Sequence, residues 1–132
     1  MVVQESRTTL SGGNASTSLT LHDYGATFSN SATGQPVQVH GVDDGTHDFD
    51  AVNFRQLQKA FAGVASVAAL TAIPEAASGN RFSVGIGYGR FEEVDAMAIG
   101  VKAAITKNIS AKAGLGYSNN VSTVSAGIGY SW

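Results

Sequence analysis

The side chains that could do chemistry are few and do not assemble into a reaction. Asp43, Asp44, His47, Asp48 and Asp50 fall within eight residues, and hard carboxylate oxygens at that density suit a divalent cation such as calcium. The ordered ligand spacing of a calcium loop is missing, however. The stretch Gly41 to Asp48 reads better as a solvated, glycine-punctuated turn, after which Asp50 caps a helix by accepting from the free amides of its first turn. His22, His40 and His47 have no ligand spacing, and only several copies around an axis could bring one of them together. Gly85-Ile86-Gly87-Tyr88-Gly89-Arg90 grazes a dinucleotide fingerprint but lacks its final glycine and the helix that should follow. No nucleophile, base and orienting group can be paired. Lys102 and Lys112 sit among apolar and small residues, where dry burial would be costly, so lumenal water or helix carbonyls should solvate them. These residues imply no enzyme, no metal and no cofactor.

The elements that would position them carry more information. The chain has 132 residues, 14% charged, with net charge -2, 16 glycines and no cysteine. There is no basic excess to suggest nucleic acid and no disulfide framework. Met1 to Ser6 lacks the cationic start and apolar run of a secretory signal, so an exported protein would be represented here by a piece. The longest apolar run, Ala60 to Ile73, would reach only about 21 Å as a helix, short of the roughly 30 Å hydrocarbon core. Ala76-Ala77-Ser78 imitates a signal-peptidase site at an internal position that makes such a role improbable. Residues 1–39 are rich in Ser, Thr, Gly and Asn, with short alternating pieces at Ser18 to Leu21, Ala26 to Phe28 and Val37 to Val39. They form small strands with too few apolar residues for a core of their own.

From Ala51 the pattern is helical. Phe54, Leu57, Phe61, Val64, Ala68 and Thr71 recur at spacings of three and four, the seam of a coiled coil, and Pro74 ends the helix. Off the seam, Ala62, Gly63, Ala65, Ser66 and Ala69 are small enough for close packing all round. After the 74–80 connection, residues 81–132 alternate. Gly-aliphatic-Gly-Tyr appears at Gly85 to Tyr88, Gly114 to Tyr117 and Gly127 to Tyr130, placing Ile or Leu and then Tyr on one face and glycine alone on the other. Four segments, Arg81 to Phe91, Asp95 to Ile105, Asn108 to Tyr117 and Val121 to Trp132, match the nine to eleven residues of a tilted membrane strand. Their outward sets contain no charge. In an up-and-down meander Phe82, Tyr130 and Trp132 collect at one level, and Tyr88, Phe91 and Tyr117 at the other, as two aromatic girdles.

Four strands cannot close a barrel, and an open edge in lipid leaves backbone groups unpaired. Three chains would supply twelve strands, with a backbone diameter of roughly 24 Å. Three packed helices are roughly 20 Å across. They fit only if the wall is nearly bare, which Gly85, Gly87, Gly100, Gly114, Gly116, Gly127 and Gly129 provide. The expected fold class is thus a transmembrane β-barrel of twelve strands from a homotrimer, four per chain, enclosing a three-helix coiled coil. The divisions are a β-rich segment at 1–39, a loop at 40–50, the helix at 51–73, the connection at 74–80 and the barrel strands at 81–132.

Residues 50–132 resemble the YadA-like membrane anchor of the trimeric autotransporter adhesins. Asp50-Ala51-Val52-Asn53-Phe54-Arg55-Gln56-Leu57 is a full copy of that family's neck motif, with Asp50, Ala51, Val52, Asn53, Gln56 and Leu57 at its fixed positions. Met97-Ala98-Ile99-Gly100 is similar to its second strand, and Ala126, Ile128, Tyr130 and Trp132 to its terminal strand. The stalk is very short by comparison. The resemblance implies a homotrimer in the outer membrane of a Gram-negative bacterium, inserted by the barrel assembly machinery, with the N-terminal part on the cell surface and the C-terminus facing the periplasm. It implies export and display of an N-terminal passenger that adheres to host or other cells. Two other functions compete: a binding module in which residues 1–39 contact a receptor directly, and a plain small outer-membrane pore. A coiled coil entering the barrel argues against the pore, and the low apolar content of residues 1–39 against a strong receptor site there.

Overall fold

In the computed structural model, residues 1–75 and 79–132 are described, and they form two units, Met1–Asp43 and Asp44–Trp132. The first is a four-stranded antiparallel meander of β1 (Val2–Gln4), β2 (Arg7–Ser11), β3 (Thr17–His22) and β4 (Gly25–Asn30) in sequential order. Cross-strand partners share a face, so Leu10, Leu19 and Phe28 line up on one side while Thr9, Thr20 and Thr27 line up on the other. Ser18 is buried, its hydroxyl donating to the Ser29 carbonyl at 3.1 Å. Val37 to Val39, expected as a strand, forms none; only Pro36 bridges to Ser29. A proline has no amide to extend the ladder there.

The second unit is one helix laid against one sheet. Helix α1 runs over Phe54–Thr71, shorter than the expected 51–73. Its N-cap is Asn53, not Asp50: the Asn53 side chain accepts from the Gln56 amide at 3.0 Å, and the Gln56 side chain returns to the Asn53 amide at 3.4 Å. This reciprocal capping box satisfies the Gln56 and Asn53 amides together. Asp50 instead accepts from the amides of Thr46 and His47, both at 2.9 Å, closing the turn before the helix. Ala72 is the C-cap and Pro74 follows. The expected connection contains Ala76-Ala77-Ser78, which lie outside the described residues.

Four long strands complete the unit: β5 (Phe82–Phe91), β6 (Val94–Ala104), β7 (Ile109–Ser118) and β8 (Val121–Tyr130), antiparallel and in sequential order. Two-residue turns join β5 to β6 at Glu92-Glu93 and β7 to β8 at Asn119-Asn120, with φ of 45° and 64° and of 42° and 63°. Positive φ at both turn positions gives the twist that a tight hairpin requires; asparagine tolerates it readily, glutamate less so. Among the described residues no helix is long and apolar enough to cross a membrane.

Candidate functional site

The helix-facing side of the β5 to β8 sheet is the site, because there the sequence departs most from an ordinary core. Registered rows of small residues cross it: Gly85, Gly100, Gly114 and Ser125 in one row, Gly87, Ala98, Gly116 and Thr123 in the next. The helix answers with Ala62, Ala65, Ser66 and Ala69, each 0% exposed, at spacings of three and four that put them on one stripe. Ser66 keeps its hydroxyl satisfied by donating to the Ala62 carbonyl at 2.8 Å. Ile73 is the one bulky residue in this cluster's buried set.

Space explains the glycines. A Cβ at Gly87 would overlap the Ala69 carbonyl oxygen, and one at Gly116 would lie 2.9 Å from the Ser66 carbonyl oxygen. Backbone therefore meets backbone at these rows. Gly89, absent from the expected wall set, is as tightly met, 2.5 Å from the Ala69 nitrogen. Its place two residues beyond Gly87 on the same face could have revealed it. Gly85 and Gly100 instead make room for the Ile73 side chain, at 2.8 and 2.6 Å, and Gly114 for Leu70 at 2.6 Å. Gly127 and Gly129 share the face but meet no helix atom. Added Cβ atoms would touch Lys112 at 3.7 Å and Ser110 at 3.4 Å. The wall at Gly127 and Gly129 is thus bare without being filled by this chain's own helix.

The opposite face is apolar and exposed. Phe82, Val84, Ile86 and Tyr88 on β5, Met97, Ile99 and Val101 on β6, Leu115 and Tyr117 on β7, and Val124, Ile128 and Tyr130 on β8 all point away from α1. Register puts Tyr88, Met97 and Tyr117 in one row and pairs Tyr130 with Ile109. Eight residues along β7 separate those levels, about 27 Å of strand. Trp132 stacks on Tyr130 with ring centroids 6.4 Å apart. Phe91, expected in the upper girdle, is not there. It falls on the helix side and meets Phe61 edge-on at 5.5 Å, since an odd number of residues after Tyr88 reverses the face.

The seam of α1 is turned from the buried stripe. At 100° per residue the line through Phe54, Leu57, Phe61, Val64 and Ala68 lies about 110° round from that stripe. Phe54 is 67%, Leu57 42% and Val64 46% exposed, whereas Phe61 is partly covered by Phe91. One helix therefore carries two faces, small residues against the wall and a flank of larger, half-exposed ones.

At the head of the helix the neck residues interlock. Gln56 accepts from the Gly45 amide and donates to the Gly45 carbonyl, both at 3.0 Å. Asp44 accepts from the Asn53 side-chain NH2 at 2.7 Å and pairs with the Arg55 guanidinium at 2.9 Å. Arg55, then Asn53, hold its carboxyl below the usual carboxylate range; the Thr46 and His47 amides do the same for Asp50. In the sequence Asp44 reads only as part of the acidic cluster and Arg55 only as part of the neck motif, because charges eleven apart carry no pairing signal. Ala51 and Val52 are exposed. Among the described residues no three His, Asp or Glu side chains converge as metal ligands. Below the helix, Lys102 and Lys112 are direct cross-strand partners on the wall. The Lys102 ammonium, 15% exposed, meets the Glu75 carboxylate at 2.6 Å.

Two family models match this arrangement. Residues 38–79 match the coiled stalk of trimeric autotransporter adhesins, and residues 74–132 match the YadA-like membrane anchor domain. The chain belongs to the YadA-like trimeric autotransporter adhesins. Such an anchor belongs to the bacterial outer membrane, and the family is one of adhesins rather than enzymes. The interlocked capping box falls within the stalk match, and the glycine wall and its apolar reverse fall within the anchor match. A YadA-like anchor accounts for a sheet whose greasy side faces outward and whose bare side faces a helix.

Proposed function

We propose that three chains close into a twelve-stranded outer-membrane barrel around three α1 helices, and that this barrel exports and then anchors an N-terminal passenger. The observation that carries the reading is the double-faced helix: a small stripe docked on the glycine wall and, round the helix from it, a seam of larger residues of which Phe54, Leu57 and Val64 stay exposed. Three such seams meeting on an axis form a coiled coil, while the three stripes face outward to three sheets. The open edges of β5 and β8 support the same stoichiometry. Each strand is paired on one side only within the chain, and in lipid every unsatisfied backbone group costs several kcal/mol. Pairing β8 of one chain with β5 of the next removes all edges at once.

In this reading the neck clamps the helices where they leave the barrel, the glycines let extended chain and then helix slide close to the wall, and the exposed apolar face meets lipid. The barrel assembly machinery reads the terminal strand ending at Trp132. Adhesion to host or other cells resides in the passenger. Surface labelling tests the topology: an epitope placed before Met1 should be stained by antibody on intact cells, and one after Trp132 only after permeabilisation. Staining of the C-terminal epitope on intact cells would overturn it.

A further inference from the structure

We infer that the helix-free end of the barrel lumen is a binding site for small inorganic oxyanions of the phosphate type. The helix stops short of the wall. Ile73 packs at the level of Gly85 and Gly100, whereas β5 to β8 continue for further rows beyond that level, through Ser83, Lys102, Lys112 and Gly127 and then Ser110 and Gly129. In the space left below the helix lies a cleft of about 350 Å³ lined by Glu75, Arg81, Lys102, Ser110, Lys112 and Gly127, among others. Gly127 contributes no side chain, so the Lys112 stem lies over the bare strand, its Cε 3.7 Å from where a Cβ would sit, and Lys112 lines the cleft.

Charge decides the ligand class. Three cations face one carboxylate, and that carboxylate is already taken by Lys102 at 2.6 Å. Lys112 and Arg81 make no close ion pair among the described residues, although the Lys112 charge also acts on the Glu75 carboxylate from a distance. With one carboxylate shared among three cations, the cleft keeps a net positive charge and donors for an anion. An oxyanion offers several acceptor oxygens to such a set, with lysine acting as a point charge and arginine as a fork. The cleft's cations Lys102 and Lys112 lie on the helix-facing side of the sheet, in the row of Ser83 and Gly127, so in the closed barrel its ligand comes from lumenal water and not from lipid headgroups. The inference rests on the closed trimeric barrel, in which three clefts would bring nine cations and three carboxylates to one vestibule.

Inorganic phosphate is the probe, read by the ³¹P line width during titration into the detergent-solubilised trimer, whose assembly is checked in the same samples on unboiled gels. Saturable broadening is expected, weakened about tenfold by Lys112→Gln, the loss of one charge-assisted contact, and strengthened by Glu75→Gln, which removes the competing carboxylate. Arg81→Gln makes the same comparison if Lys112→Gln does not assemble. Broadening that does not saturate, or that is unchanged in assembled Lys112→Gln or Arg81→Gln, overturns the site. A chain that runs as a monomer would instead overturn the trimer itself.

Discussion

Gly87 and Gly127 have the same residue type, the same face and the same alternating context, yet they should differ in consequence. A methyl at Gly87 meets the Ala69 backbone and must push α1 off the wall, whereas one at Gly127 touches only the Lys112 stem at 3.7 Å. Gly87→Ala should cost about 1 to 3 kcal/mol, the range for overpacking, and lower the temperature at which the oligomer dissociates on gels; Gly127→Ala should leave it unchanged. Equal behaviour would refute the backbone contact. In the neck, Asn53→Ala should cost about 1 kcal/mol through the lost cap, read as a lower midpoint in helix melting by circular dichroism. Asp44 and Asp50 have depressed folded pKa values, so their contribution is complete above the unfolded carboxylate pKa near ~4 and is lost as pH falls through the lower folded values. Neck stability should thus be flat from neutral down to about pH 4 and fall below it. Asp44→Asn should flatten part of that fall. The bare face of the sheet was legible in the glycine spacing, but the rows that touch helix were not, because contact depends on where α1 crosses the sheet.

At the scale of elements, α1 has to satisfy two partners with different demands. Its seam positions, Phe54, Leu57, Phe61, Val64 and Ala68, were legible from spacing alone, and so was the small-residue character of Ala62, Ala65, Ser66 and Ala69. Its start was not. Asp50 and Asn53 are both good caps by residue type, and only the return bond from Gln56 and the closure of the 46–50 turn by Asp50 decide between them. Similarly, Phe91 belongs by composition to a girdle but by parity to the helix side. The seam prediction follows from exposure: Val64→Asp places a carboxylate at a position that is 46% exposed in the single chain. The isolated helix and sheet should tolerate this, while assembly should fail, since three buried like charges would face each other. Normal assembly of Val64→Asp, measured by the oligomer band on unboiled gels, would show that the seam is not an interface.

For the whole molecule, a single layer of four strands with an exposed apolar face and two open edges is an incomplete object in water or in lipid. At the far end of β8, Gly127 and Gly129 meet no helix atom of this chain. Closure by threefold repetition would resolve the open edges and the exposed seam positions together. Two chains would give eight strands, an interior too small to admit helices. The proposed stoichiometry was legible in the sequence as this geometric exclusion and through the family resemblance, because one chain's residues do not display the contacts between copies. The mass of the detergent-solubilised complex, measured by light scattering with the detergent contribution subtracted, tests it most directly. Three chains of 13.5 kDa should give about 40 kDa of protein; a mass corresponding to one, two or four chains would contradict the closed trimer.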